Sequence, residues 1–143
     1  MNVIIREIEE KDYMSVAVIW REVLDIPVTD EELNNTYGKM KEDNRYSTYV
    51  AEADGKVVGL VTMVMALAIG HPTGYTKING LGVLPEYRNM SIGRKLLEQA
   101  EQEAVRNGTR YLGLASGLTR ENAHKFYEHM GYRKTSYWFR KRV

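Results

Sequence analysis

At 143 residues, the chain is long enough for one domain with a single hydrophobic core, and we expect that domain to span residues 1–143. A formal net charge of +1 gives no electrostatic reason to expect a nucleic acid or a membrane as a partner. The absence of cysteine excludes disulfides, thiolate metal ligands and a cysteine nucleophile. Because the first residues lack the basic-then-apolar pattern of a signal peptide, we expect a cytoplasmic protein.

The first forty residues predict one strand and two helices. Val3 to Ile8 alternates weakly between apolar and polar residues, which indicates a strand. Glu10 to Leu24 carries apolar residues on one helical stripe, and Pro27 predicts the end of that helix. Asp30 is the predicted N-cap of a second, more polar helix that runs to about Met40.

The rest of the chain predicts a mixture of strands and helices. An Asp54-Gly55 pair between two apolar runs is a strong signal for a β-hairpin. Strands are predicted at Tyr46–Ala53, Lys56–Leu67, Tyr75–Val83 and Arg110–Ser116, and one or two final strands within Tyr132–Lys141. Helices are predicted at Gly93–Asn107 and Arg120–Met130, and a loop at Ile69–Gly74. The resulting order, β-α-α-β-β-β-α-β-α-β, does not alternate strictly. It therefore predicts an α/β fold with a mixed sheet.

A short loop between a strand and a helix carries the main functional signal. The strand is predicted to end at Val83, Arg88 lies in the loop, and the helix begins near Ile92 or Gly93. The first turn of a helix has unpaired backbone N–H groups and a partial positive charge, so it can hold a phosphate group. Arg94 in that first turn is unusual unless an anion binds there, since basic residues favour the last turn.

Two sequence blocks resemble the GNAT superfamily of acetyl-CoA-dependent N-acetyltransferases. Arg88-Asn89-Met90-Ser91-Ile92-Gly93 is similar to the family's pyrophosphate signature, which is Arg or Gln, two residues, Gly, one residue, then Gly or Ala. Asn122-Ala123-His124-Lys125-Phe126-Tyr127-Glu128-His129-Met130-Gly131-Tyr132 is similar to the family's Asn-Ala-x-x-Phe-Tyr-x-x-x-Gly-Phe/Tyr block. With the order of the elements, the resemblance covers residues 4–141. It implies a mostly antiparallel GNAT-like sheet that is splayed between its fourth and fifth strands.

The resemblance also implies how acetyl-CoA would bind. The coenzyme would lie in the gap between the fourth and fifth strands, with its pantetheine arm paired to one strand by β-augmentation. The implied cofactor-binding residues are Leu81, Val83, Arg88, Asn89, Ser91, Ile92, Gly93, Arg94 and Asn122. Ser91 stands where the family has the first glycine. Serine lacks glycine's freedom at positive φ, but it is a good N-cap, and its hydroxyl can donate to an anion. We therefore expect binding to persist with altered geometry.

The implied reaction is direct attack of a primary amine on the thioester in a ternary complex. Tyr127 is the predicted proton donor to the departing thiolate, and the alternative is that its ring only packs beside Phe126. The oxyanion is expected at the backbone N–H of Val83 or a neighbour. Many relatives carry a Glu on the fourth strand, but this strand has Asn79, whose amide could hold a water but cannot accept the proton itself.

The identity of the base stays open at this stage. A weakly basic amine would need less help with deprotonation, and the side chains that could supply a base are Glu22, Asp25, Glu52 and His71. The three histidines do not have the spacing of metal ligands, so we expect no metal. The resemblance favours a homodimer formed through the last strands. The alternative function is an acyl-CoA-binding module with little or no catalytic activity, since Ser91 and the missing Glu both depart from the family.

Overall fold

The computed structural model describes all residues, 1–143, and contains five strands and four α-helices. In chain order they are β1 (Val3–Glu7), α1 (Tyr13–Glu22), α2 (Asp30–Lys41), β2 (Tyr46–Ala53), β3 (Lys56–Ala68), β4 (His71–Val83), α3 (Ile92–Arg106), β5 (Leu112–Leu114) and α4 (Glu121–His129). Short 3₁₀ turns precede α1 and follow β4.

The five strands form one sheet in the order β1-β2-β3-β4-β5. Strands β1 to β4 pair with one another in antiparallel fashion, whereas β5 is parallel to β4. A parallel pair needs a crossover, and α3 supplies it. The predicted mixed, mostly antiparallel sheet is therefore confirmed.

Helices cover both faces of this sheet between β1 and β4. Val16, Ala17 and Ile19 of α1 are fully buried, as are Leu96 and Leu97 of α3. A side chain at Gly82 of β4 would meet α1, whereas a side chain at Gly59 of β3, which pairs with Val83, would meet α3. Since these glycines face opposite ways, α1 and α3 lie on opposite faces, and the sheet is the middle layer of the core.

Two predicted boundaries are wrong. Thr29, not Asp30, is the N-cap of α2: its hydroxyl accepts from the Glu32 N–H at 3.1 Å, while the Glu32 carboxylate accepts from the Thr29 N–H. The predicted Ile69–Gly74 loop is mostly strand, because β3 and β4 continue to pair as far as Ala68 and His71. The antiparallel ladder thus shortens the connection to a tight turn.

The predicted final strand is also absent. Residues 132–143 have the alternating and aromatic character of a strand, yet they form no strand in the structure. Tyr137 and Phe139 are exposed. A strand is stable only when a neighbouring strand pairs with its backbone, and these residues have no such ladder.

The chain divides into two compact units, Met1–Gly113 and Leu114–Val143. The first contains almost the whole sheet with α1, α2 and α3, and the second contains α4. One domain over residues 1–143 stays a prediction. No helix in the structure has both the length and the apolar character needed to cross a membrane.

Candidate active site

A β-bulge interrupts β4 at Asn79. Thr62 of β3 pairs with Gly80, but the next residue, Met63, pairs with Ile78, so Asn79 is the extra residue. A bulge bends its strand and increases the local twist, and it often re-aims a side chain beside a functional site. The exposed Asn79 therefore lies where β4 changes direction.

The backbone at Leu81 and Val83 presents its polar groups away from β3. The Leu84 N–H donates to the Val58 carbonyl at 2.8 Å, which makes these two residues a hydrogen-bonded pair. In an antiparallel ladder such pairs alternate, so Gly82 also bonds to β3 while Leu81 and Val83 point to the opposite edge. This is the geometry that β-augmentation by a pantetheine arm requires.

The parallel strand β5 covers only part of that edge. It has three residues, and the Thr76 N–H donates to the Tyr111 carbonyl at 2.8 Å just before β5 begins. Three residues span about 10 Å, which is too short to reach from this point to Val83. The end of β4 at Leu81 and Val83 therefore has no pairing with β5, and we call this stretch the open edge of β4.

The loop after β4 forms a cradle of unpaired N–H groups. The backbone N–H groups of Asn89, Met90 and Ser91 donate no backbone hydrogen bond. The first bond of α3 runs from the Lys95 N–H to the Ser91 carbonyl at 3.1 Å, which leaves the first-turn donors before Lys95 unpaired. We call residues 88–94 the cradle; within it, the Arg88 N–H is already paired, since it donates to the Pro85 carbonyl at 3.2 Å. Its donors and the helix dipole favour an anion.

Ser91 adopts the left-handed conformation that the family's glycine would favour. Its φ is 63°, and Asn89 has a φ of 62°. The predicted capping bond from the Ser91 side chain is absent, because its backbone is not in the extended conformation of an ordinary N-cap. The hydroxyl is thus unused by the helix and is free to face an anion.

The basic side chains of the cradle lie in solvent. Arg88 is exposed. Arg94 is also exposed and contacts Glu98, one turn further along α3, at 3.5 Å. Such an exposed pair contributes little to stability, so it does not prevent Arg94 from turning towards a phosphate.

Asn122 and Tyr127 lie on α4, in the second unit. Asn122 is exposed in the first turn. The Tyr127 ring contacts Phe126 at 5.4 Å and Tyr132 at 6.1 Å between ring centroids. Burial raises the pKa of the Tyr127 hydroxyl, and the charge of Arg120 opposes that rise. The hydroxyl is therefore protonated at neutral pH.

Comparison with known proteins decides the family. The model of the acetyltransferase (GNAT) family matches residues 5–132. The chain belongs to the GNAT family. The match covers the sheet, the cradle and α4, and it confirms the resemblance inferred from the two sequence blocks.

Two curated relatives are N-acetyltransferases by name. Over 92 residues the chain is 35% identical to the aminoalkylphosphonate N-acetyltransferase of Salmonella typhimurium, a match that covers 64% of this chain and 60% of that relative. The chain thus spans less than two thirds of that relative's length. Over 131 residues it is 31% identical to an uncharacterized N-acetyltransferase of Methanocaldococcus jannaschii, which covers 91% of this chain and 78% of the relative.

The chain is also similar to a solved structure of an aminoglycoside N-acetyltransferase, AAC(6′)-Iy, in complex with CoA. The TM-score is 0.87, and the superposition covers 99% of this chain and 96% of that chain. Sequence identity is 16%, so the likeness concerns the fold alone.

The bases considered for this GNAT protein are not equivalent in the structure. Glu52 accepts a hydrogen bond from Arg6 at 3.1 Å and belongs to an ion-pair network. His71 begins β4, about 25 Å along the strand from Asn79. Glu22 and Asp25 are exposed around the end of α1. Glu52 and His71 therefore lie in parts of the structure away from the bulge. The structure places none of the four candidate bases at Asn79.

Sequence reasoning missed two features of the site. The bulge at Asn79 was not predicted, although a strand that contains Gly80 and Gly82 is a signal for a bulge or a close approach. The contact between Gly80 and Trp20 was also missed: a Cβ at Gly80 would lie 2.4 Å from Cη2 of Trp20. Helix α1 can lie against the bulge only because residue 80 has no side chain.

No group of three or more potential metal ligands occurs in the structure, and the expected absence of a metal stays a prediction.

Proposed function

We propose that this GNAT protein transfers the acetyl group of acetyl-CoA to a primary amine, either on a small molecule or on a protein. The observation that carries the proposal is the continuity of two binding features. The cradle presents unpaired N–H groups at the start of α3, and the open edge of β4 at Leu81 and Val83 leads into it. One feature suits a pyrophosphate and the other suits an extended pantetheine arm.

The proposed reaction follows from the two reacting groups, a thioester and an amine. The amine nitrogen attacks the thioester carbonyl carbon, an oxyanion forms, and the C–S bond breaks to release the CoA thiolate. With no cysteine in the chain, the acetyl group cannot pass through a cysteine, and direct attack in a ternary complex is the proposed route. The outward N–H of Leu81 or Val83 would donate to the oxyanion.

Tyr127 is the proposed donor to the leaving thiolate. Reference pKa values are about 10 for tyrosine and about 8.5 for a thiol, so full proton transfer is uphill. Because burial raises the pKa of Tyr127, full transfer of its proton to the thiolate is even less favourable. Tyr127 therefore acts as a hydrogen-bond donor while charge develops on sulfur, and solvent completes the protonation. Asn122 is the proposed hydrogen-bond partner of the pantetheine arm.

The acceptor must lose a proton without a carboxylate on β4. Deprotonating an alkylammonium of pKa near 10 at pH 7 costs about 4 kcal/mol, whereas an α-amine with a pKa near 8 costs roughly 1.4 kcal/mol. A weakly basic amine is thus the favoured acceptor class. We propose that Asn79 holds a water that carries the proton away from the bulge.

The second candidate function is an acyl-CoA-binding module with little catalysis. The strained Ser91 in the cradle and the absence of an acidic side chain on β4 favour it. Both candidates bind acetyl-CoA, and only the first releases CoA when an amine is present.

A panel assay separates the two. The full chain is incubated with acetyl-CoA and single amines, and free CoA is measured; the panel includes an aminoalkylphosphonate, an aminoglycoside and a peptide with a free N-terminus. The first two amine classes come from the names of the relatives. CoA release above the no-enzyme rate supports acetyl transfer. Saturable acetyl-CoA binding without release supports the module, and no binding overturns both.

We also propose a homodimer, a cytoplasmic location and the absence of nucleic-acid and membrane partners. These proposals rest on composition and family resemblance.

A further inference from the structure

Lys77 lies on the same face of the sheet as Trp20. A Cβ at Gly80 would meet Trp20, and Gly80 pairs with Thr62 of β3. Paired residues share a face, and so do residues two apart in one strand, so Val64 lies on the face of Thr62. Val64 pairs in turn with Lys77. Two residues of strand span about 7 Å, which is the distance along the sheet between Lys77 and Gly80.

The opposite face of the sheet is closed at this level. Met63, Thr76 and Ile78 are all 4% exposed or less. The hydroxyl of Thr76 bonds to that of Thr109, which directly follows α3, at 2.8 Å. Because Lys77 lies between Thr76 and Ile78 and side chains alternate along a strand, Lys77 points away from the α3 side.

The sheet is open on the face that carries Lys77. Lys77 and Val64 are half-buried. The Thr76 N–H donates to the Tyr111 carbonyl, and in a parallel ladder this bond places Lys77 opposite Gly113 of β5. Gly113 is exposed, and a Cβ there would meet nothing within 4 Å. We call the area formed by Val64, Lys77 and Gly113 the Lys77 surface. It lies entirely within the first compact unit.

Aromatic rings lie at both ends of the Lys77 surface. Trp20 lies at the bulge, and Tyr75, two residues before Lys77, lies on the same face at the other end. The ring of His71 contacts Tyr75 at 5.6 Å and Tyr111 at 5.1 Å between ring centroids. Each end is two strand residues from Lys77, so about 14 Å separates the two. This length suits a small molecule.

Lys77 gives this surface a positive charge. The other basic residues of β3 and β4, Lys56 and His71, are each the first residue of their strand, and neither strand contains an acid. Lys77 also interacts within the protein. An ammonium has three N–H donors, so it can bind a ligand oxygen as well. Because a half-buried charge is screened less than an exposed one, the surface favours an anion.

We propose that Lys77 binds an acidic group of the acceptor, which is therefore a small primary amine that also carries a carboxylate or a phosphonate. This inference rests on the proposed acetyl transfer and names its acceptor class. With the amine at the bulge and Lys77 about 7 Å along the sheet, a short carbon stem joins the amine to the acid. Lys77 determines specificity and takes no part in the bond changes at the thioester.

The test compares three amines with the same two-carbon stem: 3-aminopropanoate, 2-aminoethylphosphonate and ethanolamine. Release of CoA is measured for the parent protein and for Lys77→Met, which keeps an apolar stem and removes the charge. For the two acids kcat/KM should fall about 10- to 100-fold, through a higher KM, because a charged hydrogen bond is lost. For ethanolamine it should change by less than about twofold. The acid with the lower KM in the parent identifies the preferred anion.

Two further variants separate recognition from structure. Lys77→Arg keeps the positive charge and should retain the preference for acids. Lys39→Met removes an exposed lysine of α2 and should match the parent with all three amines. Equal losses for ethanolamine and the acids in Lys77→Met, or a loss in kcat alone, would overturn the proposal.

A binding measurement distinguishes failure of this inference from failure of acetyl transfer. The full chain saturated with CoA is titrated with each acid and followed by NMR. Saturable shifts at the amides of Val64, Lys77 and Gly113 that disappear in Lys77→Met support the inference, even if no amine releases CoA. Binding that persists in Lys77→Met, or no binding of either acid, overturns it. Release of CoA by ethanolamine would then still support acetyl transfer.

Discussion

The indole ring of Trp20 occupies the space that a side chain at Gly80 would need. An ideal Cβ on Gly80 would lie 2.4 Å from Cη2 and 2.9 Å from Cζ2 of Trp20. Gly80 follows the bulged Asn79 directly. This contact therefore sets how closely α1 approaches the part of β4 where the thioester is proposed to react.

Gly80→Ala should force Trp20 and α1 away from the bulge. Overpacking of this kind costs about 1–3 kcal/mol of unfolding free energy, measured by urea denaturation. Gly38→Ala is the matched control, because a Cβ there meets nothing within 4 Å and the residue lies within α2. The control should be neutral or stabilising by up to about 1 kcal/mol. Equal stability of Gly80→Ala and the parent protein would contradict the contact.

Ser91→Gly should relieve backbone strain in the cradle. A serine at a φ of 63° is in a conformation that glycine adopts without a steric penalty. We expect the variant to gain about 0.5–1 kcal/mol of unfolding free energy. Its acetyl-CoA affinity, measured by calorimetry, should stay near that of the parent protein.

Ser91→Val is the opposing variant. A β-branched residue at positive φ is strained, so stability and coenzyme affinity should both fall. If Ser91→Gly were less stable than the parent, the strain at this position would be refuted.

Tyr127→Phe should separate binding from catalysis. The variant keeps the ring contacts with Phe126 and Tyr132 but loses the proposed donor to the thiolate. We expect kcat to fall by about 10- to 100-fold, while calorimetry shows unchanged acetyl-CoA affinity. Tyr137→Phe, at an exposed position, is the control for a lost tyrosine hydroxyl. A full rate in Tyr127→Phe would leave Tyr127 with a packing role only.

The Arg6–Asp12 pair should make the protein sensitive to acid. Asp12 is 3% exposed, and Arg6 donates to both of its carboxylate oxygens at 2.7 and 2.9 Å. This hydrogen bonding lowers the pKa of Asp12 below its usual value. Its stabilising contribution is therefore present above the unfolded-state pKa, near 4, and is lost as pH falls through the lower folded-state pKa.

Two variants test that pair by denaturant titration across pH. Arg6→Met leaves a buried carboxylate without its partner and should cost about 3–5 kcal/mol at neutral pH. Asp12→Asn should flatten the loss of stability below pH 4, since the group no longer titrates. Glu31→Gln, which removes an exposed carboxylate, should keep the acid dependence of the parent. An unchanged acid profile in Asp12→Asn would show that other carboxylates control it.

Local chemistry made much of this protein predictable from its sequence. Neighbouring residues specify the Asp54-Gly55 turn, the apolar stripe of α3 and the strand–loop–helix junction at Arg88. The structure has a hairpin, a helix and a cradle at those positions. The family blocks around Ser91 and Tyr127 are equally local. They sufficed to identify the family before any contact was known.

Long-range contacts decided the rest. The bulge at Asn79 depends on how β4 pairs with β3, and the fit of Trp20 over Gly80 depends on where α1 packs on the sheet. The absence of a strand in residues 132–143 has the same origin, because strand propensity becomes a strand only when a backbone partner is in register. Sequence specified the helices, the Asp54-Gly55 turn and the cradle, since each follows from bonds within a few residues. Tertiary packing alone specified the bulge and the open edge of β4, since each is made by residues far apart in the chain.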